Sequence, residues 1–129
     1  MAATAKAILV VEDNEPVRRF YAAALRQKGH QVDEAGEGQE AFRLFVNRGG
    51  YDLVIMDINM PNWDGVDAIR TMSVVNPQTR IVVVSGVLDQ ERYQVEHSDL
   101  PILAAYQKPL TLADLNDIVD RALKEPPTG

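Results

Sequence analysis

Four uninterrupted apolar runs, at residues 8–11, 53–56, 81–84 and 102–105, constrain this chain more than any other feature. Each is short, with a charged or turn-forming residue within three positions of each end, so each predicts a strand rather than a helix. The runs do not alternate with polar residues, which predicts that both faces of the strands are covered. That pattern belongs to a parallel sheet with helices on each side. A fifth, more alternating stretch, Gln31–Ala35, has Val32 and Ala35 as its apolar members and is expected at an edge.

Helical patterns fill the gaps. Asn14 is a predicted N-cap with Pro16 in the first turn, and Gly29 closes the helix that runs through Leu25. Residues 38–48 carry a broad apolar face of Ala41, Phe42, Leu44, Phe45 and Val46, stopped by Gly49-Gly50. Val66, Ile69, Met72 and Val75 predict a third helix from Gly65. In the last one Thr111 and Asp114 have capping-box spacing, and Leu112, Leu115, Ile118, Val119, Ala122 and Leu123 recur at helical spacing. Residues 87–101 are thinner. Between Asp89 and His97 only Tyr93 and Val95 are apolar, so a short, poorly anchored helix is expected there. Strand and helix alternating five times predict an α/β, doubly wound, five-stranded parallel sheet in a three-layer sandwich. Residues 1–129 are expected to form a single domain with its core at 6–124 and a tail at 125–129.

The residues at the end of each run carry the chemistry. The first run leads into Glu12-Asp13, the 53–56 run into Asp57, the 81–84 run into Ser85 and the last into Lys108-Pro109. In a parallel sheet these ends lie along one edge, where open α/β sheets hold ligands. Three carboxylates, a hydroxyl and an ammonium make a site for a hard cation and a phosphoryl group. Mg²⁺ prefers oxygen ligands, retains several waters and is commonly held by one or two carboxylates plus a phosphate. The three acids and Lys108 sum to -2, which Mg²⁺ would cancel. Without a cation, two carboxylates about 4 Å apart repel by roughly 4 kcal/mol at an effective dielectric near 20.

Composition removes several classes. The chain has no cysteine, which excludes disulfides, thiolate metal sites and thiol nucleophiles. A net charge of -6 has the wrong sign for direct binding of a phosphate backbone. No stretch is long and apolar enough to span a membrane, and the start lacks the apolar core of a signal peptide. A cytoplasmic location is expected.

Glu12-Asp13, the D-x-x-M-P-x-x-x-G run from Asp57 to Gly65, Ser85 and Lys108-Pro109 together resemble the receiver domain of bacterial two-component response regulators. The resemblance spans about residues 6–124 and implies the flavodoxin-like strand order 2-1-3-4-5. It implies that Asp57 is the phosphoacceptor. It also implies that Asp13, Asp57, the main-chain carbonyl of Asn59 and Glu12, largely through water, hold Mg²⁺ or Mn²⁺. Ser85 takes the place of the Thr/Ser that grips the phosphoryl group, Lys108 is the matching lysine, and the peptide before Pro109 is often cis in this family. The donor would be a histidine kinase or histidine phosphotransfer protein. The output would be a changed surface at residues 87–109, read by a downstream protein. Such a domain catalyses only its own phosphorylation and dephosphorylation.

The chain also departs from the pattern. Receivers usually carry an aromatic residue three positions before the lysine; here that position is Ala105, and Tyr106 is one residue later, which in a strand turns a side chain to the opposite face. Gly86 stands where a small residue, commonly Ala, comes after the hydroxyl residue. These differences predict a signal transmitted by repositioning of residues 87–101 instead of by the aromatic switch. A degenerate receiver acting as a phosphorylation-independent docking module is the alternative. A haloacid-dehalogenase-type enzyme would need an acid where Asn59 stands, and Glu12-Asp13 would repel the phosphate of a flavin nucleotide. His30 and His97 match no site position and are expected at the surface. Trp63, in the loop after Asp57, is a convenient fluorescence reporter.

Overall fold

A computed structural model describes residues 6–58, 60, 65–86 and 102–124. The expectations for Asn59, Trp63, residues 87–101 and the tail at 125–129 fall outside the described residues. In chain order the elements are β1 (Ala7–Val11), α1 (Glu15–Gln27), β2 (Gln31–Ala35), α2 (Gly38–Arg48), β3 (Leu53–Asp57), α3 (Gly65–Val75), β4 (Arg80–Ser85), β5 (Ala104–Gln107) and α4 (Leu112–Lys124). The five strands are all parallel, in the order β2-β1-β3-β4-β5. The alternating stretch Gln31–Ala35 is thus an edge strand, and β5 forms the other edge.

In β1, β3 and β4 the continuous apolar runs have the cause inferred from them, because the sheet carries a core on each side; the fourth run does not, since it leads into an edge strand and residues 102–104 are only half-buried. Leu9, Val11, Val54, Met56, Ile81, Val83 and Ala105 pack on one face with Phe45 of α2 and Ile69 and Met72 of α3. Ile8, Val10, Leu53, Ile55, Val82 and Val84 pack on the other with Tyr21 and Leu25 of α1 and Leu115 and Val119 of α4. Successive residues point to opposite faces, so a strand buried on both sides has no room for polar alternation.

The helix ends obey local chemistry. The Asn14 side chain accepts from the Val17 N–H at 3.0 Å and caps α1, with Pro16 in the first turn. Gly49 ends α2 in the left-handed region at φ 83°, a conformation that lacks the Cβ penalty only for glycine. At α4, Thr111 N–H donates to Asp114 Oδ2 and Asp114 N–H to Thr111 Oγ1, each at 3.0 Å, a reciprocal capping box.

Four expectations need correction. The last strand begins two residues later than the apolar run 102–105: Leu103 N–H already bonds Ile81 O at 2.8 Å, but strand pairing runs from Ala104 to Gln107, opposite Val82 to Ser85. Apolarity there marks half-buried packing on the way into the sheet, and pairing stops at Gln107 opposite Ser85, where β4 ends. Leu112, assigned to the apolar stripe of the last helix, is 48% exposed, because it sits in the first turn beyond the sheet edge. Val75 is likewise 44% exposed at the end of α3, while Ile69 and Met72 of the same stripe are fully buried, and Val46, assigned to the apolar face of α2, is 47% exposed while Ala41 and Phe45 are fully buried.

Candidate functional site

The C-terminal ends of β1, β3, β4 and β5 meet along one edge of the sheet. Glu12 comes directly after β1, its N–H bonded to Ala35 O of β2 at 3.0 Å, and its side chain is turned inward and nearly unexposed. Asp13, one residue on, is exposed. Asp57 is the last residue of β3 and is 5% exposed. One carboxylate oxygen from each of Glu12, Asp13 and Asp57 lies within 4.8 Å of the others. Two buried acids and one open to water make an all-oxygen donor set with a wet side, which fits Mg²⁺ or Mn²⁺. The main-chain carbonyl of Asn59, implied as a further ligand, lies outside the described residues.

Lys108 closes the cluster. Its Nζ donates to Glu12 Oε1 and, at 3.1 Å, to Asp57 Oδ2. The ammonium therefore stands between the two buried acids and offsets part of their mutual repulsion. The backbone aims it there. Lys108 N–H donates to Ser85 O at 2.9 Å as β5 leaves the sheet, and the Lys108–Pro109 peptide is cis. Ser85 ends β4 beside Gln107 of β5 and one step beyond Val84, the partner of Asp57, and it is fully buried.

This geometry sets the electrostatics. Burial pushes the Glu12 carboxyl above the ordinary value of 4.5, against the Lys108 ammonium and the Asn14 N–H (3.1 Å to Glu12 Oε2), which draw it down. Burial alone would lower the Lys108 ammonium, but its hydrogen bonds to Glu12 and Asp57 outweigh that and hold it above 10.5. Tyr21, buried on α1 under the site, has its phenol raised first by burial, with Lys108 opposing and Glu12 and Asp57 adding to the rise.

The sequence-assigned residues Glu12, Asp13, Asp57, Ser85 and Lys108 thus share one sheet edge. Ala105 faces the α2–α3 side, buried against Ile81 and Val83, while the half-buried Tyr106 packs on the α1–α4 side. The aromatic ring and the position it would normally fill are on opposite faces of the sheet. Arg18 escaped sequence reasoning. Its Nη1 donates to the main-chain oxygen of Glu12 at 3.1 Å, and its Nε lies 3.4 Å from Glu34 Oε1. A signal existed: Arg18 precedes Tyr21, Ala22 and Leu25 by three, four and seven positions, the spacing of one helix face, so it had to point at the sheet.

Comparisons with known proteins agree with this arrangement. The family profile described as the response regulator receiver domain matches residues 8–120. The transcriptional regulatory protein PdtaR of Mycobacterium tuberculosis is 33% identical over 123 residues, 95% of this chain and 58% of that protein. The chain therefore spans little more than half of that relative's length. A CheY-like receiver domain protein from Methanospirillum hungatei superposes with a TM-score of 0.82 at 22% identity, covering 93% of this chain and 94% of the other. The response regulator TrrA of Thermotoga maritima, solved in complex with Mg²⁺ and BeF, gives 0.77 at 27% identity, covering 91% and 98%.

Proposed function

Because the chain belongs to the receiver-domain family of response regulators, we propose that Asp57 accepts a phosphoryl group from the phosphohistidine of a histidine kinase or histidine phosphotransfer protein. The observation that carries this reading is the convergence of Glu12, Asp13 and Asp57 within 4.8 Å, with Lys108 bonded to two of them.

In the proposed step an Asp57 carboxylate oxygen forms a bond to phosphorus while the phosphorus–nitrogen bond of the donor imidazole breaks, its electron pair leaving on that nitrogen. Little of the catalysis is covalent chemistry by the protein; it comes from positioning and charge neutralisation. Asp57 is held at the end of a strand buried on both sides, which fixes the line of approach. Lys108 keeps its proton and moves its hydrogen bonding toward the new phosphoryl oxygens as Asp57 Oδ2 becomes engaged. Ser85 presents its hydroxyl from the neighbouring strand end to a phosphoryl oxygen. Asp13, Glu12 and Asp57 would hold Mg²⁺, which when bound supplies two positive charges against the phosphoryl oxygens. Formation of the acyl phosphate takes the Asp57 side chain from -1 to about -2. That added charge is the input to the surface at residues 87–109, which we propose a downstream protein reads.

The test is intact mass after incubation with acetyl phosphate, in Mg²⁺ and in EDTA, for wild type and Asp57→Asn. One phosphoryl group gained only with Mg²⁺ and lost in the variant supports the assignment. A gain that survives Asp57→Asn moves the acceptor elsewhere, and no gain together with no Mg²⁺ binding defeats the reading.

A further inference from the structure

We infer that Arg18 is a positioning residue for the cation site, holding the Glu12-Asp13 backbone from behind and tying it to the edge strand β2. This rests on the reading of Glu12, Asp13 and Asp57 as a Mg²⁺ site. Arg18 bonds no carboxylate of that cluster. Its Nη1 instead grips the Glu12 main-chain oxygen at 3.1 Å, where β1 has ended and the backbone turns toward α1. Its Nε faces Glu34 Oε1 at 3.4 Å, and Arg26 takes the other oxygen of Glu34 at 3.0 Å while bonding Val32 O at 2.8 Å. Glu34 is therefore fixed by two arginines of α1, and one of them hands that rigidity to Glu12. The Arg18 side chain is only 17% exposed. By contrast the adjacent Arg19 pairs with Glu15 at 3.0 Å in open water, at 70% exposure.

Gly36 supports the same assignment. A Cβ there would come within 2.8 Å of Arg18 Nη1, so the glycine leaves the space that the guanidinium occupies. The atom it would strike is the free end of a flexible side chain. A methyl at this position displaces the guanidinium from Glu12 at little cost to the fold.

The sign of the effect separates positioning from simple charge. Removing a cation near an acidic cluster should, by Coulomb's law alone, tighten binding of Mg²⁺. Loss of a group that orients the ligands weakens it, typically by about 10- to 100-fold. The experiment is calorimetric titration of the full chain with MgCl₂ for wild type, Arg18→Met, Arg18→Lys, Gly36→Ala and Arg19→Met. Weaker binding is expected for Arg18→Met, by about 10-fold or more, and for Gly36→Ala, with Arg18→Lys intermediate and Arg19→Met unchanged. Lysine retains the charge but cannot reach Glu12 O and Glu34 together. Unchanged or tighter binding in Arg18→Met overturns the inference, as does equal weakening in Arg19→Met. A lower melting temperature with an unchanged Kd assigns Arg18 to fold stability alone and also overturns it. If Arg18→Met does not fold, Gly36→Ala decides by the same criterion. Wild type that binds no Mg²⁺ refutes the site reading itself, and this inference with it.

Discussion

Replacing Lys108 with methionine tests how the site is balanced. Methionine preserves most of the aliphatic stem and removes the ammonium that lies between Glu12 and Asp57, whose side chains are 2% and 7% exposed. Breaking a fully buried pair costs about 3–5 kcal/mol. Lys108 is itself 18% exposed and Asp13 opens the cluster to water, so a loss of about 2 kcal/mol is expected here. In a domain of this size that lowers the melting temperature by about 6–10 °C in EDTA at neutral pH. The pH dependence has a definite sign. Glu12 already has a folded-state pKa above its unfolded value of 4.5, so the stability it contributes is present below 4.5 and lost as pH rises through the folded pKa. Without the lysine that folded pKa rises further, so the loss, which still begins near 4.5, continues to higher pH and becomes larger. The gap between variant and wild type should therefore widen from acid to neutral pH. Magnesium should close it. A ligand at 100 times its Kd stabilises by about 2.7 kcal/mol, and in the variant no ammonium competes for the same oxygens. Thermal melts in EDTA and in Mg²⁺, at acid and neutral pH, decide the matter. A variant within a degree of wild type at neutral pH in EDTA, or a gap that Mg²⁺ leaves intact, would refute the account of Lys108 as the internal counterion.

Two further outcomes test the fold around the site. Thr111→Ala removes the acceptor for Asp114 N–H at the start of α4 and should cost about 1 kcal/mol in denaturant melts, with Mg²⁺ affinity unchanged. Tyr51→Phe removes a 2.7 Å bond from the phenol to Asp33 Oδ2 and should cost about 1–2 kcal/mol at neutral pH. Burial and Asp33 raise the Tyr51 phenol well above 10.0, so wild type holds that stability below pH 10 and loses it above, where the unfolded tyrosine ionises. The phenylalanine variant should lack this alkaline decline.

Asp57 was legible because a both-sides-buried strand has a simple signature, an apolar run, and the acid at its end has nowhere to go but the sheet edge. Lys108 was legible from its place just past another apolar run, even though that run leads into an edge strand that is not buried on both sides and starts later than the run. Of that run only Ala105 is buried, its other residues being half-buried, and pairing is set by the neighbouring strand, so the two need not begin together. Arg18 and Arg19 are the instructive pair. They are adjacent and chemically identical, yet one braces the backbone of the acidic turn and the other sits in solvent. Only helix phase separates them, and phase is read from apolar residues, which draws attention to Tyr21 and Leu25 and away from the charge ahead of them. The opposite faces of Ala105 and Tyr106 came from strand alternation alone.

Glu12 and Lys108 are 96 positions apart, so no single stretch of chain owns the acidic site. A cut at the Gly49-Gly50 turn between α2 and β3 would leave β1 and β2 on one polypeptide and β3, β4 and β5 on the other. The sheet would part along a single seam, β1 against β3. Glu12 and Asp13 would travel with the first piece, Asp57, Ser85 and Lys108 with the second. The architecture is thus naturally bipartite, and chelation by the reunited halves would signal that two separately made polypeptides had found each other.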